Sequence, residues 1–258
     1  MTTTYEADLE LALELADIAD QITMMRYRSP DLEVETKLDM TPVSESDKRA
    51  ELALRDRLGD SRPDDAVIGE EFGGAELAGQ PGRAWVLDPI DGTKSYVRGM
   101  DTWTTLIALM VDSIVTVGVV SMPALKKRWW AVRGQGAFAD GDRIHVSKIA
   151  ELGSAQLAWS GIEEWDAIGR FDQFVALARA CWRTRGVGDA WQYMLVAEGA
   201  AELATDPEAT LWDLAAVSIV VEEAGGRFTS ITGADGPGAG SGLASNGLLH
   251  DAALAFIS

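Results

Sequence analysis

An apolar run that breaks into paired acids limits most strongly what this chain can fold into. Residues 85–93 read Trp-Val-Leu-Asp-Pro-Ile-Asp-Gly-Thr. Trp85-Val86-Leu87 has the apolar density of a buried strand, and Pro89, which lacks an N–H, is expected to end it at once. Asp88 and Asp91 then stand at the strand's carboxyl end, where open α/β sheets place their ligands. Gly92 and Thr93 offer unencumbered backbone N–H groups at the opening of a short helix, a position that favours a bound anion. Two carboxylates beside an anion cradle repel the anion unless a cation lies between them. The stretch therefore points to a divalent metal bridging carboxylate and phosphate.

Other segments frame that strand. Leu9, Leu13, Ala16, Ala19 and Ile22 recur at helical spacing and predict a helix over 6–27; 44–58 reads as a second helix with Ser44 as its cap and Asp47 in its first turn. Residues 66–68, 84–88, 104–111, 115–121 and 129–132 are rich in Val, Ile, Trp and Thr and read as strands, with Gly134, Gly136 and Asp140-Gly141 marking hairpin turns. The second half alternates: strands at 155–159, 201–205 and 227–231, helices at 171–181, 190–199 and 211–224, the last closed by Gly225-Gly226. Residues 233–242, rich in Gly and Ala, read as a surface loop. The pattern predicts an α/β protein, mixed in its first half and more regularly alternating in its second. Its 258 residues suit one catalytic unit built of two packed halves, about 1–148 and 149–258.

Charge and side-chain inventory exclude several functions. The 22 basic against 41 acidic residues give a formal charge of −19, which repels nucleic acid and anionic lipid. Cys181 is the only cysteine, so no internal disulfide forms and a reducing cytoplasm is expected. Met1-Thr2-Thr3-Thr4-Tyr5-Glu6 lacks the basic and apolar regions of a signal peptide, and no apolar run approaches the roughly 20 residues of a membrane span. His145 and His250, the only histidines, are too few for a His-rich zinc or iron site, and both are expected at the surface. There is no Gly-x-Ser-x-Gly elbow and no Gly-x4-Gly-Lys-Ser/Thr loop. Asp140-Gly-Asp142 reads as a hairpin turn rather than an aspartyl-phosphate motif.

Carboxylates recur instead. Val67-Ile68-Gly69-Glu70-Glu71 is again a strand running into acids, and Asp213 stands in the first turn of an apolar helix. Taken singly, the glutamates suit a solvated turn, and Asp213 and Asp47 suit helix starts. Together these clusters place acids where a buried element meets a loop. They can supply the all-oxygen shell that Mg²⁺ prefers, at about 2.0–2.1 Å.

Asp88-Pro-Ile-Asp91-Gly-Thr93, with Gly69-Glu70-Glu71 upstream and Trp212-Asp213 downstream, resembles the signatures of the inositol monophosphatase family. The likeness extends from Lys37–Asp47 to Glu223-Ala-Gly-Gly226 and so covers nearly the whole chain. Within the family, 123–131, 133–138 and 246–250 resemble the actinobacterial branch acting on histidinol phosphate. The resemblance implies a layered α-β-α-β-α sandwich of the inositol monophosphatase and fructose-1,6-bisphosphatase type. It further implies a cytoplasmic homodimer that hydrolyses small phosphate monoesters with two, or three, Mg²⁺ ions.

Residue by residue, the resemblance makes Glu70, Asp88 and the Ile90 carbonyl ligands of one metal, and Asp88, Asp91 and Asp213 ligands of a second. Thr93 and Asp47 would orient the attacking water, and the Gly92 and Thr93 N–H groups would hold the phosphate. Two metals about 3.5–4 Å apart can neutralise phosphate, activate water and stabilise the departing oxygen. Asp189 and Asp206 fall where relatives contact the organic part of the substrate, although a helix cap and a turn before Pro207 explain them equally well. Arg185 is expected in the same pocket, and Lys94 beside the phosphate does not decide between substrates. A histidinol phosphate pocket needs carboxylates for the amine and imidazole; inositol phosphate and 3′-phosphoadenosine 5′-phosphate remain alternative esters on this scaffold. A retired, non-catalytic metal-binding scaffold is disfavoured because Asp47, Glu70, Asp88, Asp91, Thr93 and Asp213 are all present.

Overall fold

A computed structural model describes residues 5–37 and 41–258, so part of the 37–47 segment lies outside the described residues. Helix α1 (Glu6–Arg26) is followed by a small antiparallel pair, β1 (Val34–Thr36) and β2 (Pro42–Ser44), and by α2 (Glu45–Ser61). Next come β3 (Ala66–Gly69), β4 (Arg83–Asp91), the short helix α3 (Thr93–Val97), β5 (Thr104–Val111), β6 (Ile114–Met122), β7 (Lys127–Val132), β8 (Gly136–Ala139) and β9 (Asp142–Ile144). These seven strands lie in sequential order in one sheet, where β3 and β4 are parallel and every other pair is antiparallel.

The second half supplies β10 (Gln156–Trp159), α4 (Ile162–Ala167), α5 (Phe171–Ala180), β11 (Arg183–Gly186), α6 (Asp189–Ala197), β12 (Leu203–Asp206), α7 (Leu211–Glu223), β13 (Arg227–Thr229), β14 (Gly242–Ser245) and α8 (His250–Ile257). Its five strands pair in the order β11-β10-β12-β14-β13.

Strand alternation sorts the core into layers. Trp85, Leu87, Ile107 and Leu109 face α1 and α2, where they meet Leu11, Leu15, Leu54 and Leu58. Val86, Leu106, Ala108 and Met110 face the other way, onto α6 and α7. On the far side of those helices lie Ala158, Ala204, Phe228 and Ala244 of the five-stranded sheet. Its outer face (Leu157, Leu203, Leu243) is covered by Trp165, Phe174, Leu177 and Ile257 of α4, α5 and α8. The stack is α-β-α-β-α, as expected.

Helix α7 lies between two sheets and is buried continuously from Leu214 to Val221, which its nearly unbroken apolar sequence requires. It sits so close to β6 that a Cβ on Gly118 would lie 2.5 Å from Ile219 Cγ2 and 2.8 Å from the Ala216 carbonyl oxygen.

Three expectations are corrected. Pro89 does not end its strand: β4 continues to Asp91 through a register shift between Asp88 and Asp91, so the missing N–H falls where the ladder is already broken. The 233–242 stretch is a loop only to Ser241, because Gly242 begins β14, which lies between β12 and β13. His250 is fully buried at the start of α8, enclosed by Thr229 of β13 and Ser245 of β14, whereas His145 is exposed. Cys181 is buried just past α5 in the outer core layer.

Candidate active site

Parallel pairing of β3 with β4 explains why distant acids meet. Gly69 lies opposite Leu87 and the Glu70 N–H donates to the Leu87 carbonyl at 3.2 Å, so Glu70 emerges beside Asp88 at the same sheet end. The N-termini of α2 and α7 reach that end and bring Asp47 and Asp213. One oxygen from each of Asp88, Asp91 and Asp213 lies within 4.8 Å of the others. Glu70, Asp88, Ile90, Asp91, Gly92, Thr93, Lys94, Asp189, Asp206 and Asp213 all line a single cavity of about 300 Å³.

The fold holds each carboxylate by one oxygen. Asp88 Oδ1 accepts from the Ile90 N–H at 3.0 Å, and Asp91 Oδ2 accepts from Thr104 Oγ1 at 2.8 Å and the Ala190 N–H at 2.7 Å. Asp213 Oδ2 closes a capping box on α7, accepting from the Thr210 N–H at 2.7 Å and hydroxyl at 2.8 Å. Asp47 does the same on α2: its Oδ2 accepts from the Ser44 N–H at 2.8 Å and hydroxyl at 2.6 Å. Its other oxygen faces Thr93, whose hydroxyl lies 3.2 Å from Asp47 Oδ1 and 3.0 Å from the Ile90 carbonyl.

The free oxygens lack a counter-charge. Asp88 is 1 % exposed and its Oδ2 is buried with no hydrogen-bond partner. Burial, followed by repulsion from Glu70, Asp91 and Asp213, drives the Asp88 carboxyl well above the carboxylate range. Asp91 is raised by burial and then by Asp189 and Asp213, and Asp213 chiefly by burial. Burial lifts Asp47 and Asp189 to about 6 each. Buried hard oxygens that repel one another, one of them orphaned, fit a divalent cation and no side chain. Glu70 is drawn partly aside, since Lys37 Nζ lies 2.6 Å from both Glu70 Oε1 and Glu71 Oε1.

The phosphate end is shaped by Gly92, the residue before α3. Its φ is +81°, and a Cβ there would stand 2.7 Å from Asp189 Oδ2. Only glycine lets the chain turn from Asp91 into the helix this close to α6. Asp206 ends β12 at the cavity wall, whereas Arg185 is not brought to it. Arg185 lies on the edge strand β11, exposed, with Nη1 donating to the Thr184 carbonyl at 2.7 Å. Glu164, on α4, lines the cavity and was missed from sequence. Its helix has only six residues, and its acids read locally as a first-turn pair with Glu163.

A sequence model of the inositol monophosphatase family matches residues 4–257. The chain is 52 % identical over 252 residues to a histidinol-phosphatase of Mycobacterium tuberculosis, covering 96 % of each chain. It is 51 % identical to a histidinol-phosphatase of Streptomyces coelicolor, covering 98 % of each. Among solved structures, an inositol monophosphatase from Zymomonas mobilis superposes with a TM-score of 0.88 at 31 % identity, covering 99 % of both chains. An inositol monophosphatase from Thermotoga maritima gives 0.87 at 28 % identity, covering 97 % of this chain and 96 % of that one.

Proposed function

Because this chain belongs to the inositol monophosphatase family, we propose that it hydrolyses histidinol phosphate to histidinol and phosphate with Mg²⁺. The observation that carries this reading is one cavity with two acidic ends. Asp88, Asp91 and Asp213 lie at one end, and Asp189, Asp206 and Glu164 line the rest.

Asp88, Asp91 and Asp213 would hold the metal, with Glu70 and the Ile90 carbonyl extending the set. When bound, Mg²⁺ supplies Lewis-acid chemistry, withdrawing charge from phosphate oxygens and acidifying water. The chain's own residues supply position. Thr93 directs its hydroxyl proton to Asp47 or the Ile90 carbonyl, which turns an Oγ1 lone pair toward the attacking water. The backbone after Gly92 presents N–H groups to the ester's phosphate, and Lys94 adds a positive charge to the same wall. The halves 1–148 and 149–258 act as one catalytic unit, because Asp213 comes from the second and its partners from the first. The same reading makes the enzyme a cytoplasmic homodimer. No helix among the described residues is long and apolar enough to cross a membrane.

The test is phosphate release by the purified chain with Mg²⁺ from histidinol phosphate, inositol 1-phosphate and 3′-phosphoadenosine 5′-phosphate. The highest kcat/KM is expected on histidinol phosphate. Faster release from another ester moves the assignment to that ester, and no release from any refutes a phosphatase.

A further inference from the structure

Glu164 and Asp206 form a second acidic pair on the cavity wall, outside the candidate metal set. Glu164 Oε2 and Asp206 Oδ1 are both buried and lack a hydrogen-bond partner. Asp206 Oδ2 receives a long contact, 3.4 Å, from Gln192 Nε2, and the Ser160 hydroxyl is the other neutral donor to this carboxyl. Burial, followed by repulsion from Glu164, drives the Asp206 carboxyl well above the carboxylate range. Burial, followed by repulsion from Glu163, raises Glu164, and its contact with Asp206 offsets part of that rise.

An independent observation comes from Tyr193 of α6. It is 2 % exposed and lines the same cavity, yet its hydroxyl has no partner and lies in the field of Asp206, Asp213, Asp91 and Glu164. The space behind that hydroxyl is closed, since a Cβ on Gly242 would stand 2.5 Å from it. Its free valence is therefore available to whatever enters the cavity. Lys94 is the cation of this wall, and among the described residues it makes no ion pair within 4 Å.

We infer that Glu164, paired with Asp206 and backed by the Tyr193 hydroxyl, determines specificity by receiving an ammonium group on the organic half of the substrate. The inference rests on the phosphatase reading above and deepens it. An ammonium brings three N–H donors and a positive charge to two carboxylates that, among the described residues, make no ion pair within 4 Å even with Lys94 on the same wall. A neutral polyol brings hydroxyls but leaves two adjacent carboxylates uncompensated. Because the cavity also contains the metal-binding end, it suits a short phosphate monoester with its amine a few bonds from the ester oxygen.

Glu164→Gln keeps size and hydrogen bonding but removes the charge. Its kcat/KM ratio between histidinol phosphate and inositol 1-phosphate is expected to fall about 30-fold or more, as for loss of one member of a desolvated charge pair. Part of the fall should come from a gain on inositol 1-phosphate, whose organic half is uncharged, as the wall repels its phosphate less. Glu164→Asp, which keeps the charge, should retain most of the ratio. An equal loss on both esters, or an unchanged ratio, overturns the inference.

Competitive inhibition gives a second arm that does not depend on turnover of histidinol phosphate. In Glu164→Gln the inhibition constant of histidinol should rise about tenfold or more while that of inorganic phosphate does not rise. A histidinol constant that stays put overturns the inference. A wild-type enzyme that turns over inositol 1-phosphate better than histidinol phosphate refutes the parent reading instead, and the inhibition arm still decides the role of Glu164.

Discussion

Each aspartate of the Asp88, Asp91 and Asp213 cluster commits one oxygen to the fold and leaves the other to the cavity, so folding and the proposed metal binding make opposite demands on the same side chains. Asp88→Asn preserves the acceptor for the Ile90 N–H and replaces the orphaned Oδ2 with a donor facing Asp91 and Asp213. Turnover at saturating Mg²⁺ should fall on the order of 10³-fold, while the thermal midpoint measured in chelator should rise. Near-wild-type turnover would refute Asp88 as a ligand.

His250 makes a separate, pH-dependent contribution. The Thr229 hydroxyl donates to the Ser230 carbonyl at 2.7 Å, so it must accept from the His250 Nε2–H; Nδ1 then accepts from the Ser245 hydroxyl. Burial lowers the imidazole to about 4. Its stabilisation is therefore complete above the unfolded value of about 6.5 and is lost as pH falls toward 4, a change on the order of 3 kcal/mol. Urea unfolding of wild type and His250→Gln should show the wild-type advantage shrinking across that range; a constant gap would refute it. The clustering of Asp88 and Asp91 was legible because Asp88-Pro-Ile-Asp91-Gly-Thr93 is a local pattern. The burial of His250 was not, because it depends on two strands that reach α8 only in three dimensions.

At the scale of elements, helix starts do most of the positioning. The capping boxes Ser44/Asp47 and Thr210/Asp213 fix the first turns of α2 and α7 and orient the carboxylates that face the cavity. Thr210→Val deletes one of the two bonds to Asp213 Oδ2. It should cost about 1 kcal/mol of stability and weaken Mg²⁺ affinity about 10–100-fold, measured by denaturant unfolding and calorimetry. Unchanged affinity would mean that the cap does not orient the ligand.

Gly118→Val tests the seat of α7. With Ile219 and the Ala216 carbonyl already against the glycine, the larger side chain should destabilise by about 1–3 kcal/mol. Stability within experimental error of wild type would show that the helix can shift freely. Sequence periodicity located α1 within a residue at its end, since 6–27 was expected and Glu6–Arg26 is found. It missed β11 and β14. Arg-Thr-Arg-Gly is polar because it forms a sheet edge, and Gly-Leu-Ala-Ser is small because two strands flank it. Helix α8 did carry a signal, Ala253 and Ile257 four residues apart and both buried.

For the whole molecule, a formal charge of −19 and a site of mutually repelling acids lead to the expectation that cations add to the stability. Mg²⁺ at a hundredfold excess over its Kd should add about 2.7 kcal/mol, or about 5–10 °C in Tm. EDTA should reverse the shift, and an equal response in the Asp88→Asn variant would show that the gain is only surface screening. The α/β class was legible from the strand and helix pattern, whereas the layer order came only with the family resemblance. The meeting of Glu164 with Asp206 was not, since four-residue strands and a six-residue helix carry too little pattern to place them face to face.

That Asp213 belongs to a helix enclosed by both sheets has a consequence for biosynthesis. A ribosome delivers Asp88 and Asp91 long before it delivers Asp213, and α7 cannot settle until β12–β14 have emerged to cover it. With Asp213 as the ligand proposed above, a nascent chain would carry no complete site, and ion capture would mark the last stage of maturation rather than its nucleus.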